Sequence, residues 1–150
     1  MAGELSGYVI EGVAVPHSLD LLHDLIDRVG GEHPDVLHED LSMLETAVIE
    51  IAGNLIEHGR PSGAVDYRLR LNVLPDRLEG LLADSGEQLP HVADIADIAE
   101  PDLLAEDGRG LLLAQAVLDE LTYQRTDEAN TWRMVRWRRP LLTDGSEPVC

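Results

Sequence analysis

Between Val65 and Val73 the chain sets Val65, Tyr67, Leu69, Leu71 and Val73 against Asp66, Arg68, Arg70 and Asn72, one apolar residue to one polar. A period of two predicts a strand with one buried face and one wet face. Pro75-Asp76 then predicts a turn, and Leu78, Leu81 and Leu82 lead through Ala83 to Asp84 in a second strand that would pair with the first as a hairpin. Upstream, Tyr8 to Val15 is rich in β-formers and is stopped by Pro16, which predicts a first strand. Leu19, Leu22, Leu25, Ile26 and Val29 then recur at helical spacing, with Ser18 placed to cap the helix and Gly30-Gly31 to end it. After the turn at Pro34, apolar residues from Val36 through Leu41, Leu44, Val48, Ile51 and Leu55 sustain a longer helix as far as His58, closed by Gly59 and Pro61. Residues 87–107 hold Pro90, Pro101 and many acids with weak periodicity; a connection of that length in a compact domain is usually a functional loop or lid. Leu111 to Leu121 reads as another apolar helix, and Thr122 to Thr126 with Asn130 to Trp137 as a final hairpin. The string β-α-α-β-β-lid-α-β-β predicts a sheet with its helices on one face.

Size and charge narrow the classes. At 150 residues, 44% of them hydrophobic, the chain suits one core and not two. Its basic residues are eleven arginines with no lysine; against 29 acids they leave a formal net charge of −18. Such a surface would repel a duplex or an anionic membrane, so neither nucleic acid nor membrane is an expected partner. Without lysine there is no P-loop. The single cysteine is Cys150, which leaves no intramolecular disulfide and fits a reducing compartment. With no basic-then-apolar leader pattern and no apolar run of membrane-spanning length, the expected location is the cytoplasm. The one basic cluster, Arg133, Arg136, Arg138 and Arg139, falls on the last strand, where on a sheet edge it would serve solubility and block edge pairing.

Three polar motifs interrupt the apolar background. Glu50, Asn54 and His58 recur at every fourth residue and form a stripe along one side of the long helix. Such a stripe is most often a solvated face, but asparagine is a poor helix former, and here it follows Gly53 in mid-helix. An amide oxygen suits Mg²⁺, and a glutamate one turn earlier could orient or deprotonate an attacking hydroxyl. Asp84-Ser85-Gly86 ends a strand; it reads either as a tight turn or as a carboxylate that accepts the exocyclic amine of adenine, with Gly86 allowing close approach of the ring. Gly108-Arg109-Gly110 stands before Leu111, so it is either a hinge into a core helix or a set of free amides at a helix start able to hold phosphate. The histidines show no metal spacing, and surface or capping roles fit His17, His23, His33, His38 and His91 better. Ser85 lacks a nucleophile-elbow frame.

In that order and spacing the motifs resemble the GHKL ATPase superfamily, the Bergerat fold of histidine kinases, type II topoisomerases and MutL. The similarity is closest to anti-sigma factor serine kinases of the RsbW and SpoIIAB type. It covers roughly residues 5–138 and rests on Glu50 to Gly59 as the N box, Asp84-x-Gly86 as the first glycine box and Gly108-Arg109-Gly110-Leu111 as the second. The domain is expected over residues 1–139, with residues 140–150 read from the chain as a flexible tail; the resemblance implies an α/β (α+β) two-layer sandwich, a mixed, mostly antiparallel sheet covered on one face by about three helices, with an ATP lid. It implies ATP and Mg²⁺ as cofactors, Glu50 as general base, Asn54 as the residue holding Mg²⁺, and nucleotide contacts from Asn54, His58, Asp84, Gly86, Gly108, Arg109, Gly110, Leu111 and Thr131. It further implies a homodimer that sequesters a sigma factor and phosphorylates a serine or threonine of an anti-anti-sigma protein of the STAS type. Two departures stand out: Glu87 and Gln88 follow the first glycine box where a second glycine is usual, and Asp94, Asp97 and Glu100 make the lid acidic. The competing reading is a non-catalytic module that binds nucleotide or sequesters a partner without phosphoryl transfer.

Overall fold

The computed structural model describes residues 6–58, 65–86, 106–126 and 129–139. The alternating segment is a strand, β2 (Asp66–Val73), with Tyr67, Leu69, Leu71 and Val73 buried. It lies in a five-stranded sheet with β1 (Ser6–Val13), β3 (Arg77–Asp84), β4 (Glu120–Thr126) and β5 (Ala129–Trp137). The order is β1-β2-β3-β5-β4, and all four neighbouring pairs are antiparallel, so the expected mostly antiparallel sheet has no parallel pair among its described strands. Side chains alternate between faces, and the register therefore sorts them into rows. Tyr8, Leu71, Gly80, Met134 and Leu121 share one row of the buried face, and Ile10, Leu69, Leu82, Trp132 and Tyr123 share the next.

The helices α1 (His17–Glu32), α2 (His38–His58) and α3 (Glu106–Val117) supply the other half of the core. Leu22, Ile26 and Val29 of α1, Leu44, Ala47, Val48 and Ile51 of α2, and Leu111 and Ala114 of α3 are buried with the sheet rows. Each large side chain removed from water in this way stabilises the fold by about 1.5–3 kcal/mol. Helices on one side and strands on the other make the two-layer α+β arrangement.

Four details depart from the pattern reading. Helix α1 runs through Gly30-Gly31, and Gly30 lies against α2: a Cβ there would stand 2.9 Å from Cδ2 of Leu41. Ser18 is not the cap residue, which is Pro16; it lies inside the helix, where its buried hydroxyl accepts from the Val15 N–H at 3.1 Å and donates to the Val13 carbonyl. Helix α3 starts at Glu106 and ends at Val117, so Leu121 belongs to β4. The chain breaks from the helix at Asp119, whose N–H donates to the Val135 carbonyl at 2.8 Å and whose carboxylate accepts from the Trp137 N–H at 2.7 Å. Strand β5 lies between β3 and β4, so Arg133 and Arg136 do not guard an edge, and Arg138 and Arg139 follow the strand, which ends at Trp137.

Those arginines pin the layers together. Asp40, fully buried near the start of α2, accepts from Arg136 Nε at 2.9 Å and from the Arg139 N–H at 2.8 Å, while Arg136 also donates to the Val117 carbonyl that ends α3. Arg138 reaches Asp35, and on the open face of the sheet Arg133 bridges Glu79 and Glu120, each at 2.9 Å. No described helix is long and apolar enough to cross a membrane.

Candidate functional site

The third row of the helix-covered face is polar at its end. Register places Gly12, Tyr67, Asp84, Asn130 and Arg125 side by side, and Asp84 and Asn130 are both buried. Asp84 Oδ1 accepts from the Gly86 N–H and from Asn130 Nδ2, each at 2.8 Å. The first bond closes the Asp84-Ser85-Gly86 turn, and the Ser85 hydroxyl, accepting from the Asp66 N–H at 2.9 Å, ties that turn to β2. Asn130 Nδ2 also reaches the Gly86 carbonyl at 3.2 Å, and Arg125 Nη1 donates to the same carbonyl at 2.6 Å. Burial pushes the Asp84 carboxyl above the usual carboxylate range, against the opposing pull of Asn130, the Gly86 N–H and the charge of Arg125.

Helix α2 delivers Asn54 to the same end of the sheet. Asp40 fixes the start of the helix against Arg136, and Asn130 lies six residues before Arg136 on β5, a span of about 20 Å. Asn54 lies fourteen residues beyond Asp40, a rise of about 21 Å, and fourteen residues at 100° per residue return it to within about 40° of the flank that faces β5. The opposite flank of α2 meets α1, as Leu41 against Gly30 and Glu45 against His23 show. The last turns of α2 rest on the polar row: Ala52, Leu55 and Ile56 line an apolar recess with Tyr67, the register partner of Asp84.

Asn54 Nδ2 is buried without a hydrogen-bond partner among the described residues. Burying an amide group unpaired costs roughly 1–3 kcal/mol. With no neighbour fixing which end of the amide points inward, its oxygen can be turned toward a cation. Glu50, one turn earlier on the same stripe, is half-buried. The described residues hold no cluster of three His, Cys, Asp or Glu that would form a ready-made metal cage. One amide oxygen beside a phosphate-bearing ligand nevertheless suits Mg²⁺, which keeps several waters and takes few protein ligands.

The remaining candidates fall as follows. Gly86 is buried in the Asp84 turn. Gly108, Arg109 and Gly110 are already helical in α3, so the amides without an intrahelical partner are those of its first four residues, 106–109, and the Gly110 amide lies inside it. Leu111 is buried in the core at the foot of α3. His58 is the last residue of α2, and its side chain lies outside the described residues, as do His91, the tail over 140–150 and most of the lid expected over 87–107, of which Glu106 and Asp107 are already helical in α3. Thr131 is a correction: it pairs with Ala83 on the open face of the sheet, opposite to Asp84, because successive side chains on a strand point to opposite sides. The residue that meets Asp84 is Asn130, which the sequence reading missed. The signal was present, since Trp132 and Met134 mark the even positions of β5 as the buried face.

The sequence and fold both have known relatives. Residues 14–136 match the family model described as the histidine kinase-like ATPase domain. The serine-protein kinase RsbW of a Bacillus cereus strain is 26% identical over 117 residues, covering 73% of this chain and 72% of that protein. The RsbW of Bacillus pumilus is 31% identical over 97 residues, covering 59% and 60%. Among solved structures, the RsbU and RsbW domains of Rv1364c from Mycobacterium tuberculosis superpose with a TM-score of 0.64 at 16% identity, over 90% of this chain and 33% of that longer one. That likeness is one of fold. With the family model spanning most of the chain, from Ala14 to Arg136, this protein belongs to the histidine kinase-like ATPase domain family.

Proposed function

We propose that this chain binds ATP with Mg²⁺ at the Asp84 end of the sheet and acts as an anti-sigma factor with serine/threonine protein kinase activity toward a STAS-type anti-anti-sigma partner. The observation that carries the reading is the pairing of a buried carboxylate, Asp84, with an orphaned amide, Asn54, at one end of one sheet face. Asp84 accepts the exocyclic amine of the base. A 6-oxo purine would present a carbonyl to the same carboxylate and leave both groups unpaired, which costs roughly 1–3 kcal/mol. The amides without an intrahelical partner at the start of α3 and the positive end of its dipole favour the phosphates, in a chain that has no lysine for the task. Asn54 would hold Mg²⁺, which when bound neutralises phosphate charge. Glu50, one turn before Asn54, accepts the proton of the attacking hydroxyl. The similarity to proteins named serine-protein kinase supports protein hydroxyl groups as acceptors, and the resemblance of the three motifs to anti-sigma factor kinases is what suggests a sigma factor as the sequestered partner. A homodimer in the cytoplasm is part of the same proposal.

The test has two stages. Calorimetry with ATP, with and without Mg²⁺, should give binding that weakens when the cation is removed. Incubation with labelled ATP and a STAS-domain protein should then move the γ-phosphate to a serine or threonine, and Glu50→Ala should stop the transfer while leaving nucleotide affinity within about threefold. Normal transfer by Glu50→Ala would refute the assigned base. Nucleotide binding without transfer to any STAS protein would favour the non-catalytic module.

A further inference from the structure

Asn130 is held more completely than a base-contacting side chain needs to be. Its Nδ2 donates to Asp84 Oδ1 at 2.8 Å and to the Gly86 carbonyl at 3.2 Å, while its Oδ1 accepts from the Tyr123 hydroxyl at 2.5 Å and from Arg125 Nη1 at 3.1 Å. Two acceptors on the nitrogen side and two donors on the oxygen side leave one possible orientation of the amide. Tyr123 is itself fixed by its ring against Trp132, with centroids 4.5 Å apart. Arg125 grips both the Asn130 oxygen and the Gly86 carbonyl, so strands β3, β4 and β5 are knotted at this point.

The consequence falls on Asp84. Oδ1 already accepts two bonds, from the Gly86 N–H and from Asn130, and the carboxylate cannot rotate without giving up both. Among the described residues Oδ2 has no donor, which leaves it to receive an incoming N–H.

We propose that Asn130 is a positioning residue that sets base selectivity: it fixes the rotation of Asp84 so that one defined carboxylate oxygen meets the exocyclic amine of adenine and rejects a purine bearing a 6-oxo group. The inference rests on the ATP reading above and adds to it a residue that touches Asp84 and not the chemistry.

Asn130→Asp tests the effect. It keeps the oxygen used by Tyr123 and Arg125 and replaces the nitrogen donor with a carboxylate oxygen against Asp84 Oδ1 and the Gly86 carbonyl, which also adds a like charge beside Asp84, so Arg125→Met serves as the uncharged comparison. Binding of ATP and of inosine triphosphate, which carries the 6-oxo group, is measured by calorimetry on the wild type, Asn130→Asp, Arg125→Met and Asn54→Ala. In Asn130→Asp the ATP affinity should fall roughly 10- to 100-fold and the inosine triphosphate affinity less than about threefold, so that the ratio collapses. Arg125→Met, which leaves the Asn130 donor in place but loosens it, should narrow the ratio by about threefold. Asn54→Ala, acting at the phosphate end, should lower both affinities together. If the Asn130 and Arg125 variants lose both nucleotides by equal factors, their role is structural and the inference is overturned. Should Asn130→Asp fail to fold, the Arg125→Met ratio decides alone. A wild type that binds neither nucleotide refutes the ATP reading instead, an outcome separate from a selective wild type whose variants keep the ratio.

Discussion

Replacing Arg136 with methionine removes the positive partner from a fully buried carboxylate. Asp40 has no exposed surface, and its two oxygens are met by Arg136 Nε at 2.9 Å and by the Arg139 N–H at 2.8 Å. With Arg136 gone, the backbone N–H and the more distant Arg139 guanidinium at 3.8 Å must compensate the charge, and the Val117 carbonyl loses its donor as well. Breaking one side of a buried ion pair costs about 3–5 kcal/mol. In a domain of this size each kcal/mol moves Tm by about 2–4 °C, so a fall of roughly 6–20 °C is expected in a thermal melt. The double variant Asp40→Leu/Arg136→Met, which removes both charges and fills the space with apolar atoms, should recover most of that loss. A single Arg136→Met variant that melts within about 2 °C of the wild type would refute the view that this pair anchors α2 to the sheet.

Asp84→Asn should separate stability from binding. Burial raises the Asp84 carboxyl above its unfolded value, so its ionised form opposes folding at neutral pH, and the stability linked to its protonated form is lost as pH rises through the raised folded value. The asparagine variant should therefore melt no lower than the wild type at pH 7 while binding ATP roughly 10- to 100-fold more weakly. By the same sign, ATP affinity of the wild type should decline as pH is lowered toward that raised value, beginning above the usual aspartate range near ~4; affinity flat from pH 7 to 4 would remove Asp84 from the base contact. His23, exposed and held by Glu45 and then Asp27, should titrate above the ordinary histidine range by NMR and move back toward ~6.5 in Glu45→Gln. Its contribution to stability is fully present below its unfolded value and fades as pH rises through the higher folded one. Gly53→Ala adds a methyl group with nothing within 4 Å and removes a mid-helix glycine, so Tm should rise by about 2–4 °C; a fall in Tm would show that α2 needs the glycine next to Asn54.

The parts of the fold written in local periodicity were legible in the chain. The alternation from Val65 to Val73 gave β2 and its buried face, and the apolar recurrence from Leu41 to Leu55 gave the long helix. What local pattern cannot carry is a contact made from elsewhere in the chain. Gly30 resembles a stop signal until Leu41 is seen to pack on it, and the arginines of β5 resemble an edge guard until the order β3-β5-β4 places that strand inside the sheet. At the site, Asn54 stood out as a poor helix former in mid-helix, and Asp84 only through its place in the order of the three motifs, since Asp-Ser-Gly alone also reads as a tight turn. Asn130 did not, because a polar residue near a hairpin turn is ordinary, and its role depends on strand parity across β3 and β5.

The strap between Asp40 and Arg136 also constrains how relatives of this protein can differ in length. One residue inserted in α2 between Asp40 and Asn54 would swing the amide by about 100° and carry it past the site. One residue inserted in β5 between Asn130 and Arg136 would exchange the faces of the strand, turning the arginine or the asparagine outward. Insertions and deletions should therefore collect in the connections, while these two spans keep a constant count, and chimeras of the domain should be joined outside them.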